Sequence, residues 1–307
     1  MKKYIVLALV SVLFGAVLSS CRKDEPLDEN SIIMMDNYVQ NDFDKWLEAN
    51  YVNPYNINFK YRYQIDESNR SYYTLPADFD CAVIMAHIIK YLCIDSYDEV
   101  AGVNFTRQYF PKMFFVIGEW EYNNNGTMIL GTAEGGKKIY LTGVNWIPQV
   151  LAGTYSSSYD AIGGLNHYYI KTIHHEFTHI LNQTKDFPVE FSQITPNDYV
   201  ASDWSSSPYD TGYLQRGFIS SYAQHSDRED FAEMMSIYVT NPLERWDSLM
   251  ETAGAEGATL IKAKLDLVKS YMKGTFEIDM DQLRATVLRR QDEVKAGQVD
   301  LTSLTIN

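Results

Sequence analysis

The pentapeptide His175-Glu176-Phe177-Thr178-His179 sets two imidazoles four residues apart with a carboxylate between them. Residues at that spacing share one face of an α-helix, so both rings can point at one metal ion. The glutamate beside them can take a proton from a water held by that ion. A catalytic zinc site uses three protein ligands and keeps a further position open. A third ligand is therefore required. One known source is a histidine six residues past the second, with a glycine between; Lys185 and Asn182 stand there instead, which rules that class out. The other source is a carboxylate on a later helix. Glu229 and Glu233 are four apart and share a face, with Phe231, Met234, Met235, Tyr238 and Val239 broadly opposite. That pattern predicts a second amphipathic helix with an acidic face. Glu229 is the preferred ligand. Glu233 then accepts a hydrogen bond from a ligating histidine and fixes its tautomer. Ser226 and Glu229 also fit a capping box; if Glu229 only caps the helix, Glu233 becomes the ligand.

The helix carrying the histidines must be held from behind. Ile170, Ile173, Phe177, Ile180 and Leu181 recur at helical intervals and form one apolar stripe. His175 and His179 fall on the other side, so the helix packs its back into a core while its histidine face lines a cleft. His174 sits at the stripe's edge and reads as a packing or supporting residue. Gly163-Gly164 precede the helix and Asn182 follows as a stop.

HEFTH, followed by Tyr222 and then Glu229-Asp230-Phe231-Ala232-Glu233, resembles the zincin peptidases that use a glutamate ligand. The spacing from Tyr222 to Glu229 is similar to that in the catalytic domain of anthrax lethal factor. The nearer resemblance is to the zinc metallopeptidase lipoproteins of Bacteroidetes called substrate import-associated, whose genes lie beside TonB-dependent receptors. The likeness covers most of the mature chain in general style, and its specific part spans 170–240. It implies one zinc ion held by His175, His179 and Glu229, Glu176 as the base, and Tyr222 as an oxyanion donor. His225 is a rival for that last role. The implied substrate is a peptide or protein, and a TonB-dependent receptor complex is the implied partner. The cleaved sequence does not carry over.

At the start of the chain, Lys2-Lys3 precede an apolar run from Tyr4 to Leu18 and then Ser19-Ser20-Cys21. A charged start, a short apolar stretch and small residues define a signal peptide over residues 1–20. Leu18-Ser19-Ser20-Cys21 resembles the lipobox of bacterial lipoproteins, which makes Cys21 the lipidation site. Three acyl chains would anchor the protein firmly, since one chain binds marginally. Residues 21–35 read as a flexible polar tether. Acidic residues after the cysteine resemble a surface-export signal. An outer-membrane lipoprotein is expected, on the outer face in preference to the periplasmic one.

Loss of residues 1–20 removes Lys2 and Lys3 and takes the formal charge from −14 to −16. Such acidity argues against a nucleic-acid groove, which needs clustered Lys and Arg. Hydrophobic residues make up 46% of the chain, enough for one large domain or two small ones, and a single domain over 36–307 is expected. Within it, an N-terminal α/β part is expected from 36 to 150 and a metal-binding helical part from 166 to 307.

The element pattern predicts a helix over 36–50, a strand through Ile57, Phe59, Tyr61 and Tyr63, and a helix over 77–95. Strands follow at 112–122, 127–132 and 137–142, then a loop over 147–166. The stretch 182–221 reads as irregular, and two helices close the chain near 255–273 and 279–296. Segregated strands and helices point to an α+β fold, here a zincin-like one with a mixed sheet beside the metal helix. Lys137–Thr142 is the expected edge strand of the cleft, to which an extended peptide can add. Cys81 and Cys93 lie on one helix with α-carbons roughly 18 Å apart, against the ~7 Å a disulfide allows, so two buried thiols are expected. Phe187, Phe191, Trp204, Tyr209 and Tyr213 either line substrate pockets or form a satellite hydrophobic cluster.

Two other function classes fit parts of this pattern. One is a surface binding protein with a zincin fold and no turnover. The other is a structural lipoprotein whose metal only stabilises the fold. The presence of Glu176, and only three evident ligands, favour an open catalytic site.

Overall fold

The computed structural model describes residues 39–306. The signal peptide, Cys21 and the tether lie outside the described residues. From Asn41 onward the chain forms one compact unit. It has an α+β fold in which helices pack around a small mixed sheet.

Asn41 opens helix α1 (Asp42–Leu47) with a full capping box: its side chain accepts from the Asp44 amide, and Asp44 accepts from its own. The helix runs on through a wider π turn at Glu48–Val52. Strand β1 (Asn58–Lys60) is much shorter than the alternation at 57–63 predicts. Helix α2 (Phe79–Ile88) continues as a π segment, Ile89–Ile94, and carries Cys81 and Cys93 as free buried thiols. Helices α3 (Asp95–Ala101) and α4 (Val103–Tyr109) follow.

The expected strands at 112–122 and 127–132 break up. They give β2 (Met113–Val116), β3 (Glu121–Tyr122), β4 (Met128–Ile129) and β5 (Gly131–Glu134); β6 is Lys138–Leu141. Strands β3 and β4 form a separate hairpin. The main sheet has the order β1-β2-β6-β5, with β1, β2 and β6 parallel and β5 antiparallel to β6. Phe114, Val116, Ile139 and Leu141 enter the main core, while Phe115, Ile117 and Tyr140 fill a smaller cluster. Sheet residues of opposite parity thus have separate apolar surroundings.

Strand β6 is therefore interior, and the expectation that Lys137–Thr142 forms the edge is corrected. Ile139, Tyr140 and Leu141 are all buried, as in a strand covered on both faces. The edge beside the helix of the pentapeptide is β5, whose burial alternates. At Gly131 an added Cβ would lie 2.8 Å from the Tyr140 carbonyl and 3.0 Å from Thr172, so only glycine lets this edge come so close.

Residues 147–166, expected as a loop, hold two short helices, α5 (Ile147–Leu151) and α6 (Ala161–Leu165). Pro148 starts the first, and the Asp160 side chain caps the second through the Gly163 amide at 2.8 Å. A π segment, Asn166–Ile170, joins α6 to α7 (Lys171–Thr184), the helix of the pentapeptide. The stretch after it is largely irregular, with a short α8 (Val189–Ser192). Three longer helices complete the chain: α9 (Asp227–Thr240), α10 (Leu243–Phe276, interrupted at Gly254) and α11 (Met280–Lys295). Among the described residues, no helix is long and apolar enough to cross a membrane.

Candidate metal centre

Helix α7 is fixed through its apolar back. Ile173, Phe177 and Leu181 are fully buried, and the Phe177 ring sits 5.0 Å from Tyr97 and 4.7 Å from Phe110. His174 belongs to this packing. Its Nδ1 lies 3.0 Å from the Tyr97 hydroxyl, and burial lowers its pKa to about 3, so the ring stays neutral.

Helix α9 starts at Ser226, whose hydroxyl accepts from the Glu229 amide at 3.3 Å. The Glu229 carboxylate is not spent on a reciprocal cap. It turns to the pentapeptide: Glu229 Oε2 lies 2.9 Å from His175 Nε2 and 3.2 Å from His179 Nε2, and the two Nε2 atoms are 3.1 Å apart. Glu233, one turn on, stands behind His175. Its Oε1 lies 2.8 Å from His175 Nδ1, off the N–H axis, and 2.7 Å from Lys171 Nζ, while its Oε2 accepts from Ser220 Oγ at 2.7 Å. The expected amphipathic character of α9 is corrected. Every residue from Asp230 to Thr240 is buried, so α9 is a central helix with neighbours all round.

Glu176 lies half-buried beside the imidazoles, close to Ala133 of β5. Burial and the nearby Glu229 charge outweigh the two histidines and lift its pKa above the ordinary glutamate value. Tyr222 opens a 3₁₀ turn, Tyr222–His225, with its ring 5.9 Å from the His175 ring and 5.0 Å from Trp204. Burial, then the Glu229, Glu176 and Glu233 charges, push its phenol well above the ordinary range, so it remains an O–H donor. The His225 ring lies 5.7 Å from that of Tyr222 in a tilted arrangement, and its Nδ1 is buried without a partner.

Of the aromatics in 182–221, Phe187 and Phe191 pack on Phe231 and belong to the core, whereas Trp204 faces Tyr222. Lys171, Ser220 and Ala133 were not singled out from the sequence. Lys171 had a signal, since it lies one turn before His175 on the same face. Ser220 and Ala133 had none, because their contacts come from remote segments.

A family model described as "Putative zinc-binding metallo-peptidase" matches residues 36–281. The chain belongs to this family. It is also similar to a crystal structure described as a "putative zinc-binding metallo-peptidase" from Bacteroides caccae ATCC 43185. Identity is 37%, the TM-score is 0.71, and the match covers 86% of this chain and 96% of that one. A comparison with curated proteins gives no match.

The family description implies zinc, and the donor set fits it. Two imidazole nitrogens and one carboxylate oxygen converge from residues His175, His179 and Glu229. Their mutual spacing suits one ion with bonds of about 2.0–2.2 Å. The electrostatics also call for a cation. Burial alone would lower the His175 pKa, yet Glu229 and Glu233 raise it to about 9. Burial likewise opposes ionisation of Glu229, but His175 and His179 hold its carboxyl well below the usual range.

Proposed function

We propose that this member of the family is a zinc-dependent peptidase that hydrolyses peptide bonds in peptides or proteins. The observation that carries the reading is the convergence of two Nε2 atoms and Glu229 Oε2 within 3.2 Å, with the Glu176 carboxylate alongside. His175, His179 and Glu229 would hold one zinc ion, and the Glu233 charge 2.8 Å from His175 Nδ1 would favour a proton there and leave Nε2 for the metal. Zinc held there supplies Lewis acidity, which acidifies water and polarises a carbonyl. Glu176 takes the proton from the attacking water and delivers it to the leaving amine. Its raised pKa suits a group that must first accept that proton and then release it. Tyr222 donates its O–H to the carbonyl oxygen as negative charge builds there, a contribution of ~3 kcal/mol in comparable sites. Strand β5, the sheet edge next to Glu176, is where an extended peptide would add.

The cellular setting is proposed from sequence. Cys21 carries the lipid, the protein is displayed on the outer membrane, and its peptidase activity serves import through a TonB-dependent receptor. Digestion of a peptide library with and without chelator, on a sample of measured zinc content, tests the activity. Chelator-sensitive cleavage supports it, and absence of cleavage by the zinc-loaded protein rejects it. Protease shaving of whole cells tests the location; complete protection rejects the outer face.

A further inference from the structure

The side chain of Glu233 is 1% exposed, and its two oxygens face different walls of the site. Oε1 meets Lys171 and His175 of α7 at 2.7 and 2.8 Å. Oε2 accepts from Ser220 Oγ at 2.7 Å. The same Ser220 oxygen accepts from the Ala223 amide at 3.1 Å, so both sides of the hydroxyl are used. Ala223 is the second residue of the turn that Tyr222 opens, and Ser221 gives that turn no side-chain cap. Other bonds at the turn hold its far side. Val200 donates to the Gln224 carbonyl at 2.8 Å, and Arg216 Nε donates to Gln224 Oε1 at 2.9 Å.

We propose that Ser220 is a positioning residue, which ties the Tyr222 turn to the Glu233 carboxylate and so fixes Tyr222 relative to His175. The assignment rests on the reading of Tyr222 as an oxyanion donor. The segment before Tyr222 has no strand or long helix to orient it, so its aim depends on side-chain bonds. Lys171 supplies the counter-charge with which Glu233 stays buried as an anion. Precision matters here, since a displacement of about 1 Å can lower a rate about a hundredfold.

The test compares zinc-loaded Ser220→Ala, Ser220→Thr, Tyr222→Phe and the Ser220→Ala/Tyr222→Phe double variant. Zinc affinity comes from chelator competition, and a ¹⁹F signal comes from 3-fluorotyrosine incorporated at position 222. Ser220→Ala should lower kcat at least about tenfold, with KM and zinc affinity within about twofold of the parent. Ser220→Thr, which keeps the hydroxyl, should restore kcat. In the Tyr222→Phe background, Ser220→Ala should change kcat by less than about twofold, because the two act as a unit. The fluorine signal should move in Ser220→Ala and stay in place in Ser220→Thr. Additive losses, an equal loss of zinc affinity, or an unmoved fluorine signal would each overturn the inference. If Tyr222→Phe turns over normally while the fluorine signal still follows Ser220, the donor reading of Tyr222 fails and the tie itself stands.

Discussion

Helices α7 and α9 form the two walls of the site, and they are held in place differently. Helix α7 has an apolar back made of Ile173, Phe177 and Leu181 and a polar face with Lys171, Glu176 and His179 partly open. Hydrophobic burial orients it, together with the buried His174–Tyr97 contact. Helix α9 carries Glu229, Asp230 and Glu233 within its first two turns, and Asp230 and Glu233 are buried outright. Each acid is met by a residue from elsewhere. Glu229 meets the two imidazoles, Glu233 meets Lys171, and Asp230 meets Lys264 Nζ of α10 at 2.6 Å. An apolar stripe orients a helix by burial and needs no counter-charge to do so. A buried acidic helix is tolerable only where other elements deliver its counter-charges, so the acidic wall depends on the whole fold.

That contrast can be broken experimentally. Glu176→Gln, on the open face of α7, should lower kcat by about 10² to 10⁴-fold while zinc content and melting temperature stay at parental values. A comparable loss of stability would show that the face of α7 is structural after all. Lys264→Met should do the reverse and cost about 3–5 kcal/mol of folding stability in denaturant titrations, because Asp230 is left buried without its counter-charge and keeps only the Tyr199 hydroxyl. Replacing both partners by apolar residues should recover much of that loss; if the single variant is as stable as the parent, the acidic wall does not depend on its remote partner.

Lys171→Met should weaken zinc binding by about 10 to 100-fold in chelator competition, since Glu233 loses the partner that holds it against His175. The pH dependence sharpens the comparison further. In the metal-free protein the His175 pKa is raised from 6.5 to about 9, so below that pH a proton must leave before the ring can ligate. Zinc affinity should therefore rise about tenfold per pH unit between roughly 6.5 and 9 and flatten above. The same raised value stabilises the metal-free fold fully below pH 6.5, and that contribution is lost as pH climbs through about 9. Smallest of all, Cys81 and Cys93 should react with a thiol reagent fast in denaturant and slowly in the native state. Burial pushes both thiols above their ordinary pKa.

Several features were legible because they are local. The histidine spacing, the apolar stripe of α7 and the cap at Ser226 each depend on residues within a few positions of one another. Other expectations failed for long-range reasons. The run Lys138–Leu141 could be told from an edge strand only by the consecutive burial of Ile139, Tyr140 and Leu141, which the strand order explains. The short helices at 147–151 and 161–165 lack the length to announce themselves and persist by packing on the core.

By itself, the sequence determined the α+β character, the histidine-bearing side of α7 and the candidacy of Glu176, since side-chain periodicity and chemistry are written residue by residue. Only the tertiary structure decided that Glu229 reaches both imidazoles while Glu233 sits behind His175, that β5 is the free edge, and that Lys171, Ser220 and Lys264 support the acidic helix. Those outcomes depend on which distant segments approach one another, and a buried charge takes its partner from wherever the fold supplies one.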